Sequence, residues 1–85
     1  MRSDRRSDRI LARQVGATLK LLRHERKLRQ YMAAELAGIT KGMLCGYETG
    51  RQCPNLATLI RLLATLGVSW ERFGLTLAKT CEVQR

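Results

Sequence analysis

The stretch that decides the fold is QYMAAELAGITKGMLCGYETG, residues 30–50. Its first half is rich in alanine, which is small enough to let a second helix pass close by, and Gly38 is suited to end a helix in a left-handed cap. Thr40 follows as the N-cap of a second helix, whose apolar residues recur every three or four positions along a buried side, at Met43, Leu44 and Tyr47. The pattern predicts two short helices joined by a tight turn, the unit that places a helix in the major groove of DNA.

The flanking sequence predicts three further helices. A first helix is expected from residue 8 to residue 26 or 27, because apolar residues recur there at helical spacing. Helices two and three occupy residues 30–37 and 41–47, a fourth lies between Asn55 as N-cap and Gly67, and Ser69 caps a fifth. The apolar residues of the first and fourth helices are Leu11, Val15, Leu19 and Leu22, and Leu56, Leu59, Ile60, Leu62, Leu63 and Leu66.

The two ends of the chain are less well determined. Residues 1–7, MRSDRRS, are charged and lack apolar periodicity, which predicts a flexible basic arm. Residues 75–85 extend helix five, add an edge strand or fray, and the sequence does not choose between these outcomes. The expected organisation is an arm over residues 1–7, a folded domain over 8–74 and a short C-terminal extension over 75–85.

The charge of the chain favours a polyanionic partner. Sixteen Lys and Arg against seven Asp and Glu give a net charge of +9, and residues 1–29 contain ten of the basic groups and three of the acidic ones. Each Lys or Arg that neutralises a phosphate releases counterions, although a solvated, solubilising face accounts for the charge equally well. Arg5, Arg6 and Arg9 are the candidates for an arm that follows phosphates or enters a minor groove, with a disordered tail as the alternative.

Size and composition argue against several classes of function. No apolar run approaches the ~20 residues that cross a bilayer, and the N-terminus leads into no signal-peptide core, so a single domain in the cytoplasm is expected. Cys45, Cys53, Cys81 and the single His24 lack the spacing of a zinc site or a disulfide framework, so we expect reduced thiols and no metal. Catalytic and phosphate-cradling motifs are also lacking, which argues against an enzyme and against a cofactor.

With its five helices in order, the chain resembles the Xre/Cro-type helix-turn-helix family, the phage repressor-like domains, over about residues 15–73. The order and spacing of the matching pieces make the resemblance specific. These pieces are Val15-Gly16, Leu19 through Arg23, Leu28, Gln30, ELAG at 35–38, YETG at 47–50, Pro54, Leu56 through Leu59, LGVS at 66–69 and Phe73. The resemblance implies an all-α, five-helix domain that binds double-stranded DNA.

The resemblance also implies contacts to the DNA backbone. Gln30, at the start of helix two, matches a glutamine that bonds to phosphate and braces helix three, with an ordinary exposed helix-start residue as the alternative. Thr49 and Arg51 match positions where backbone amides and a basic side chain meet phosphate. Arg29 replaces the usual Ser or Thr cap of helix two, so the cap is expected to be missing and the arginine to reach a phosphate.

Two features of the interior are implied in the same way. Arg23 and Glu48 match a pair that forms a buried ion pair between helix one and the end of helix three, and removal of one partner from such a pair costs roughly 3–5 kcal/mol. Ala33 stands where the family has a core leucine. Met32 or Leu36 is therefore expected to fill the gap.

Base contacts are implied at Lys41, Gly42, Cys45 and Gly46 of helix three, where this chain departs from the family. Relatives usually carry Gln, Arg, Ser, Thr or Asn there, and good bidentate contacts are worth about 1–3 kcal/mol per base pair. Only Lys41 readily donates to guanine, and Cys45 makes at best a soft contact. Either specificity lies in close backbone approach, DNA shape and the arm, or the module works mainly through a protein partner.

The leading interpretation is a sequence-specific transcriptional regulator, a repressor, acting as a homodimer on an inverted repeat with half-sites ~34 Å apart. Dimerisation through helix five and residues 75–85 is expected, because one small domain buries too little surface to hold a half-site tightly. The alternative is a protein-interaction module on the same scaffold, an antitoxin bound to its toxin or an inhibitor of another regulator. The bare glycines of helix three favour this alternative, and the basic arm and Arg51 oppose it.

Overall fold

A computed structural model describes residues 5–83 of the chain, with side chains from residue 6 to residue 80. Five α-helices follow one another: α1 Arg5–Glu25, α2 Gln30–Ala37, α3 Lys41–Glu48, α4 Leu56–Leu66 and α5 Trp70–Val83. No β-strand occurs among residues 5–83. The predicted all-α, five-helix fold class is confirmed.

The predicted caps of the central helices are confirmed. Gly38 ends α2 in the left-handed conformation with φ 74°, and the N–H of Ile39 returns to the Ala34 carbonyl at 3.0 Å. The Thr40 hydroxyl accepts from the Met43 N–H at 3.0 Å and so caps α3. Two helices of eight residues each are thereby joined by a turn short enough to hold them in contact.

The interior lies where α1 crosses α3 and where α2 packs on α3 and α4. Its largest fully buried apolar side chains are Leu19, Leu22, Leu44, Leu62 and Leu63. More apolar residues recur at helical spacing than are buried, because only those that face another helix are covered. Four residues predicted to lie on apolar or buried faces are instead exposed: Leu11, Met43, Leu56 and Ile60.

The prediction that Met32 or Leu36 fills the space beside Ala33 is wrong. Ala33 is buried, whereas Met32 and Leu36 are 40% and 67% exposed. Helix α2 packs on α4, and the alanines of α2 belong to the same buried core cluster as Leu62, Leu63 and Leu66 of α4. The small residues of one helix are complemented by large residues on the helix opposite.

The N-terminal prediction also needs correction. Helix α1 begins at Arg5, three residues before the predicted start, so Arg5, Arg6 and Arg9 lie in a helix and not in a flexible arm. No Pro or Gly interrupts this segment, and Asp8 lies in the first turn, where a negative charge favours the helix N-terminus. Residues 1–4 of the predicted arm lie outside the described residues.

Helix α5 continues through the predicted boundary at residue 74 and reaches Val83, so the extension is helical over 75–83 and is not an edge strand. It packs against α1, where the Thr18 hydroxyl lies 3.3 Å from that of Thr80, and Phe73 is buried in the core. Residues 84–85 lie outside the described residues.

Candidate nucleic-acid interface

The four residues predicted to contact bases all lie on α3, but they differ in exposure. Lys41 and Gly42 are exposed, Cys45 is half-buried and Gly46 is buried. Apart from its chain neighbours and its own helix backbone, a Cβ atom added to Gly42 would have only the Thr40 hydroxyl, at 3.8 Å, within contact distance among the described residues. The first half of this face therefore presents bare backbone beside one lysine.

The turn after α3 folds back over the helix. The Thr49 hydroxyl donates to the Cys45 carbonyl oxygen at 2.8 Å, and Gly50 has a φ of 79°. Arg51 then lies along α3, with its Nε 3.4 Å from the Thr49 hydroxyl and its Nη2 4.0 Å from Cys45 Sγ. These contacts place an exposed guanidinium beside the C-terminal half of the helix.

A buried polar cluster fixes the end of α3 against α1 and α2. Arg23 and Glu48 form a two-pronged ion pair, in which Nε lies 2.7 Å from Oε2 and Nη2 lies 3.0 Å from Oε1. The same Arg23 donates to the Leu28 carbonyl at 2.7 Å, and the amide of Gln30 donates to Glu48 Oε1 at 3.0 Å. Both side chains of the pair are at least nine-tenths buried. Gln30 thus braces α3 through Glu48, and its predicted phosphate contact remains a prediction.

Arg29 lies at the N-cap position of α2 and makes no capping hydrogen bond. Its side chain is exposed next to Gln30. The first N–H groups of α2 are therefore not capped by this residue, and they lie beside a positive charge, an arrangement that suits a phosphate.

Two residues at this surface were not among the sequence-predicted candidates. The Arg13 side chain of α1 lies against Gly50, since a Cβ atom on Gly50 would come within 2.6 Å of Arg13 Cγ. Gln52 covers Gly46 from the loop. Arg13 lies one helical turn before Gly16, which faces α3, so helical spacing could have indicated that Arg13 lies on the same side of α1. Gln52 reaches this surface through the turn after α3, and no sequence periodicity indicates that position.

Groups suited to other chemistry are few in this part of the chain. The described residues contain no cluster of three or more His, Cys, Asp or Glu able to hold a metal ion, and Cys45 and Cys53 are unpaired. The side chain of Cys81 lies outside the described set. Among the same residues, no helix has both the length and the apolar character that a membrane span requires.

Comparisons with known proteins agree with this geometry. A helix-turn-helix family model matches residues 19–73. The chain is also similar to the immunity repressor protein of Bacillus phage phi105, with 39% identity over 54 residues, 64% of this chain and 38% of that protein. The family match implies a DNA-binding regulator and not an enzyme. The chain therefore belongs to the helix-turn-helix family, in its Xre-type, phage repressor-like form.

Proposed function

We propose that this protein is a transcriptional repressor that binds an inverted-repeat operator as a homodimer. The observation that carries the proposal is the attachment of α3 to α1 and α2 by the hydrogen bonds of Arg23, Glu48 and Gln30, with Lys41 exposed on α3 and Arg51 lying along it. The name of the phage relative, an immunity repressor, supports repression as the outcome. The chain spans 38% of that relative's length, so the relative's remaining properties are not carried over.

In the proposed complex, α3 enters the major groove and its flanks meet the phosphates on either side. Arg29 and Gln30 contact one strand from the start of α2, while Thr49 and Arg51 contact the other from the turn after α3. Lys41, at the first turn of α3, reaches a base edge. The buried pair of Arg23 and Glu48 makes no contact with DNA in this proposal. With the Gln30 amide, it joins the end of α3 to the start of α2, the two places from which phosphate is contacted.

The proposed dimer forms through α5 and the residues that follow it. One domain of this size presents a small surface to each half-site, and a second copy doubles the contacts on a two-fold symmetric site. Trp70 and Leu75 of α5 are 49% and 57% exposed, and these large apolar side chains are suited to an interface between two copies. The proposed site of action is the cytoplasm.

A protein-interaction module on the same scaffold is the second candidate. It is favoured by the bare backbone at Gly42, where no side chain is available to read a base. On this alternative, an antitoxin or an inhibitor of another regulator binds its protein partner and contacts DNA only secondarily.

Binding measurements at several salt concentrations separate the two candidates. We expect the protein to bind the duplex upstream of its own gene at salt concentrations that dissociate it from random duplex, because specific contacts add to the salt-dependent phosphate term. Sedimentation of the complex should give two copies per site. Equal and steeply salt-sensitive affinity for both duplexes would exclude the sequence-specific repressor.

Two substitutions test the assignment of the interface. Lys41→Ala should relax base preference, with a loss of about 1–3 kcal/mol at one base pair per half-site. Arg51→Ala should weaken specific and random duplexes alike and lower the salt slope by about one. If the two variants exchange these phenotypes, the recognition face has been assigned wrongly.

A further inference from the structure

The bare face of α3 is covered at its C-terminal end by a side chain from outside the helix. Gly42 and Gly46 lie one helical turn apart, with Arg51 and Gln52 beside them around a shallow surface cavity of about 320 Å³. A Cβ atom on Gly46 would lie 3.4 Å from Oε1 of Gln52 and 3.6 and 3.8 Å from its Cδ and Cγ. A methyl group at position 46 would therefore lie in ordinary van der Waals contact with Gln52, and a longer side chain there would meet the Gln52 side chain.

The backbone holds Gln52 in this position. Its N–H donates to the Gly46 carbonyl oxygen at 3.1 Å, which ties the loop to the last turn of α3. Its side chain is exposed, and within residues 5–83 its amide group has no hydrogen-bond partner. An anchored backbone thus presents an amide whose donors and acceptor are available to a ligand.

We propose that Gln52 is a specificity-determining residue, the base-reading amide that Gly42 and Gly46 leave out of α3. A glutamine amide pairs with adenine in the major groove, accepting from N6 and donating to N7. A small residue at position 46 is then needed, because a side chain longer than alanine would compete with Gln52 for the same space. This inference rests on the proposed function, since it assigns a base contact within the same DNA complex.

A contact from Gln52 to phosphate would have a different signature. A phosphate contact carries no sequence information, so its loss weakens every duplex to the same degree. A base contact changes the preference at one base pair in each half-site and leaves random duplex nearly unaffected. The pattern of loss across sequences therefore decides between these two roles.

The experiment starts with selection of preferred sites from a randomised duplex library by the full wild-type chain. Affinities are then measured for the selected site and for each of its single base-pair changes, with wild type, Gln52→Ala and Gln52→Glu. For Gln52→Ala we expect a loss of roughly 5- to 150-fold in preference for adenine at one position, and affinity for random duplex within twofold of wild type. Gln52→Glu should shift the preference at that same position toward cytosine, whose N4 donates to a carboxylate.

Two further variants test the geometry itself. Gly46→Ser leaves Gln52 in the chain but inserts a side chain beneath it, so it should weaken the preference at the same base pair. Arg51→Ala provides the contrast, with uniform weakening expected. Thermal unfolding of the two Gln52 variants should match wild type, because Gln52 is exposed and makes no side-chain hydrogen bond within the described part of the chain.

The possible failures are distinguishable. If wild type selects no sequence, the proposed function itself fails, and the inference fails with it. If wild type selects a specific site, and both Gln52→Ala and Gln52→Glu keep its base preference at every position, only the assignment of Gln52 is overturned. Uniform weakening by Gln52→Ala would make it a phosphate contact and would also overturn the inference.

Discussion

Gly16→Ala is expected to lower the free energy of unfolding by about 3 kcal/mol, although alanine is intrinsically the better helix former. A Cβ atom at position 16 would overlap the Tyr47 carbonyl oxygen and lie 2.9 Å from that of Glu48. Both obstacles are backbone atoms, so no rotamer change relieves the contact and α1 must move away from α3. Overpacking of this kind typically costs 1–3 kcal/mol, and a clash with backbone belongs at or above the upper end of that range.

The measurement is equilibrium denaturation, with Gly74→Ala as the matched control. Gly74 lies inside α5, and a Cβ atom there would have no atom of the described residues within 4 Å beyond its chain neighbours and its own helix backbone. The same substitution should therefore stabilise the protein by roughly 0.5–1 kcal/mol, the usual gain of alanine over glycine in a helix. A Gly16→Ala protein as stable as the control would show that α1 and α3 do not approach as closely as described.

Glu48→Ala is expected to destabilise the protein by roughly 3–5 kcal/mol, because it leaves the Arg23 guanidinium buried without its counter-charge. The substitution also removes the acceptor of the Gln30 amide. The free energy of unfolding of a small domain is about 5–15 kcal/mol, so the expected loss is a large part of the total stability. Urea denaturation monitored by circular dichroism measures the loss.

Two further variants test whether burial of the ion pair is the cause of the destabilisation expected for Glu48→Ala. The ion pair between Glu25 and Arg72 spans 3.2 Å, but its side chains are about half exposed, so Glu25→Ala should change stability by less than about 1 kcal/mol. The double variant Arg23→Met with Glu48→Leu should be more stable than Glu48→Ala, because no unpaired charge remains in the interior. Additive losses in the double variant would contradict this account.

Both predictions concern the position of α3 relative to α1. Gly16 allows the close approach of the two helices, and the pair of Arg23 and Glu48 joins the end of α3 to α1 and, through the Gln30 amide, to α2. Variants that remain folded but shift α3 should therefore lose DNA affinity through misplacement of the proposed phosphate contacts at both ends of the motif, even though neither Gly16 nor Glu48 is proposed to touch DNA.

Local signals in the sequence predicted much of the fold. Gly38, Thr40, Asn55 and Gly67 end or begin helices at the positions expected of them, because capping depends on a few consecutive residues. Helix α1 begins three residues before the predicted start, because residues 5–7 have no apolar pattern and yet contain no Pro or Gly that would break a helix. The fifth helix was predicted, but the sequence did not choose between helix, strand and fraying after residue 74; in the structure α5 continues there and packs against α1.

The candidate site was predictable only in part. Family resemblance pointed to Gln30, Arg51 and the pair of Arg23 and Glu48. The contacts of Gln30 and Arg23 with Glu48 join residues far apart in the chain. The resemblance did not point to Gln52, because the position of this side chain depends on the turn at Gly50 and on the missing side chain of Gly46. No one-dimensional pattern relates residues 46 and 52.

The sequence by itself determined the helices, their caps, the basic charge and the family, because each of these follows from neighbouring residues or from a pattern of spacing. The tertiary structure decided which apolar residues are covered: Leu63 is buried in the core cluster that includes the alanines of α2, whereas Leu36 is exposed to solvent. It also decided which side chain covers the bare face of α3. These outcomes depend on distances between segments far apart in the chain, which only the folded arrangement of the helices sets.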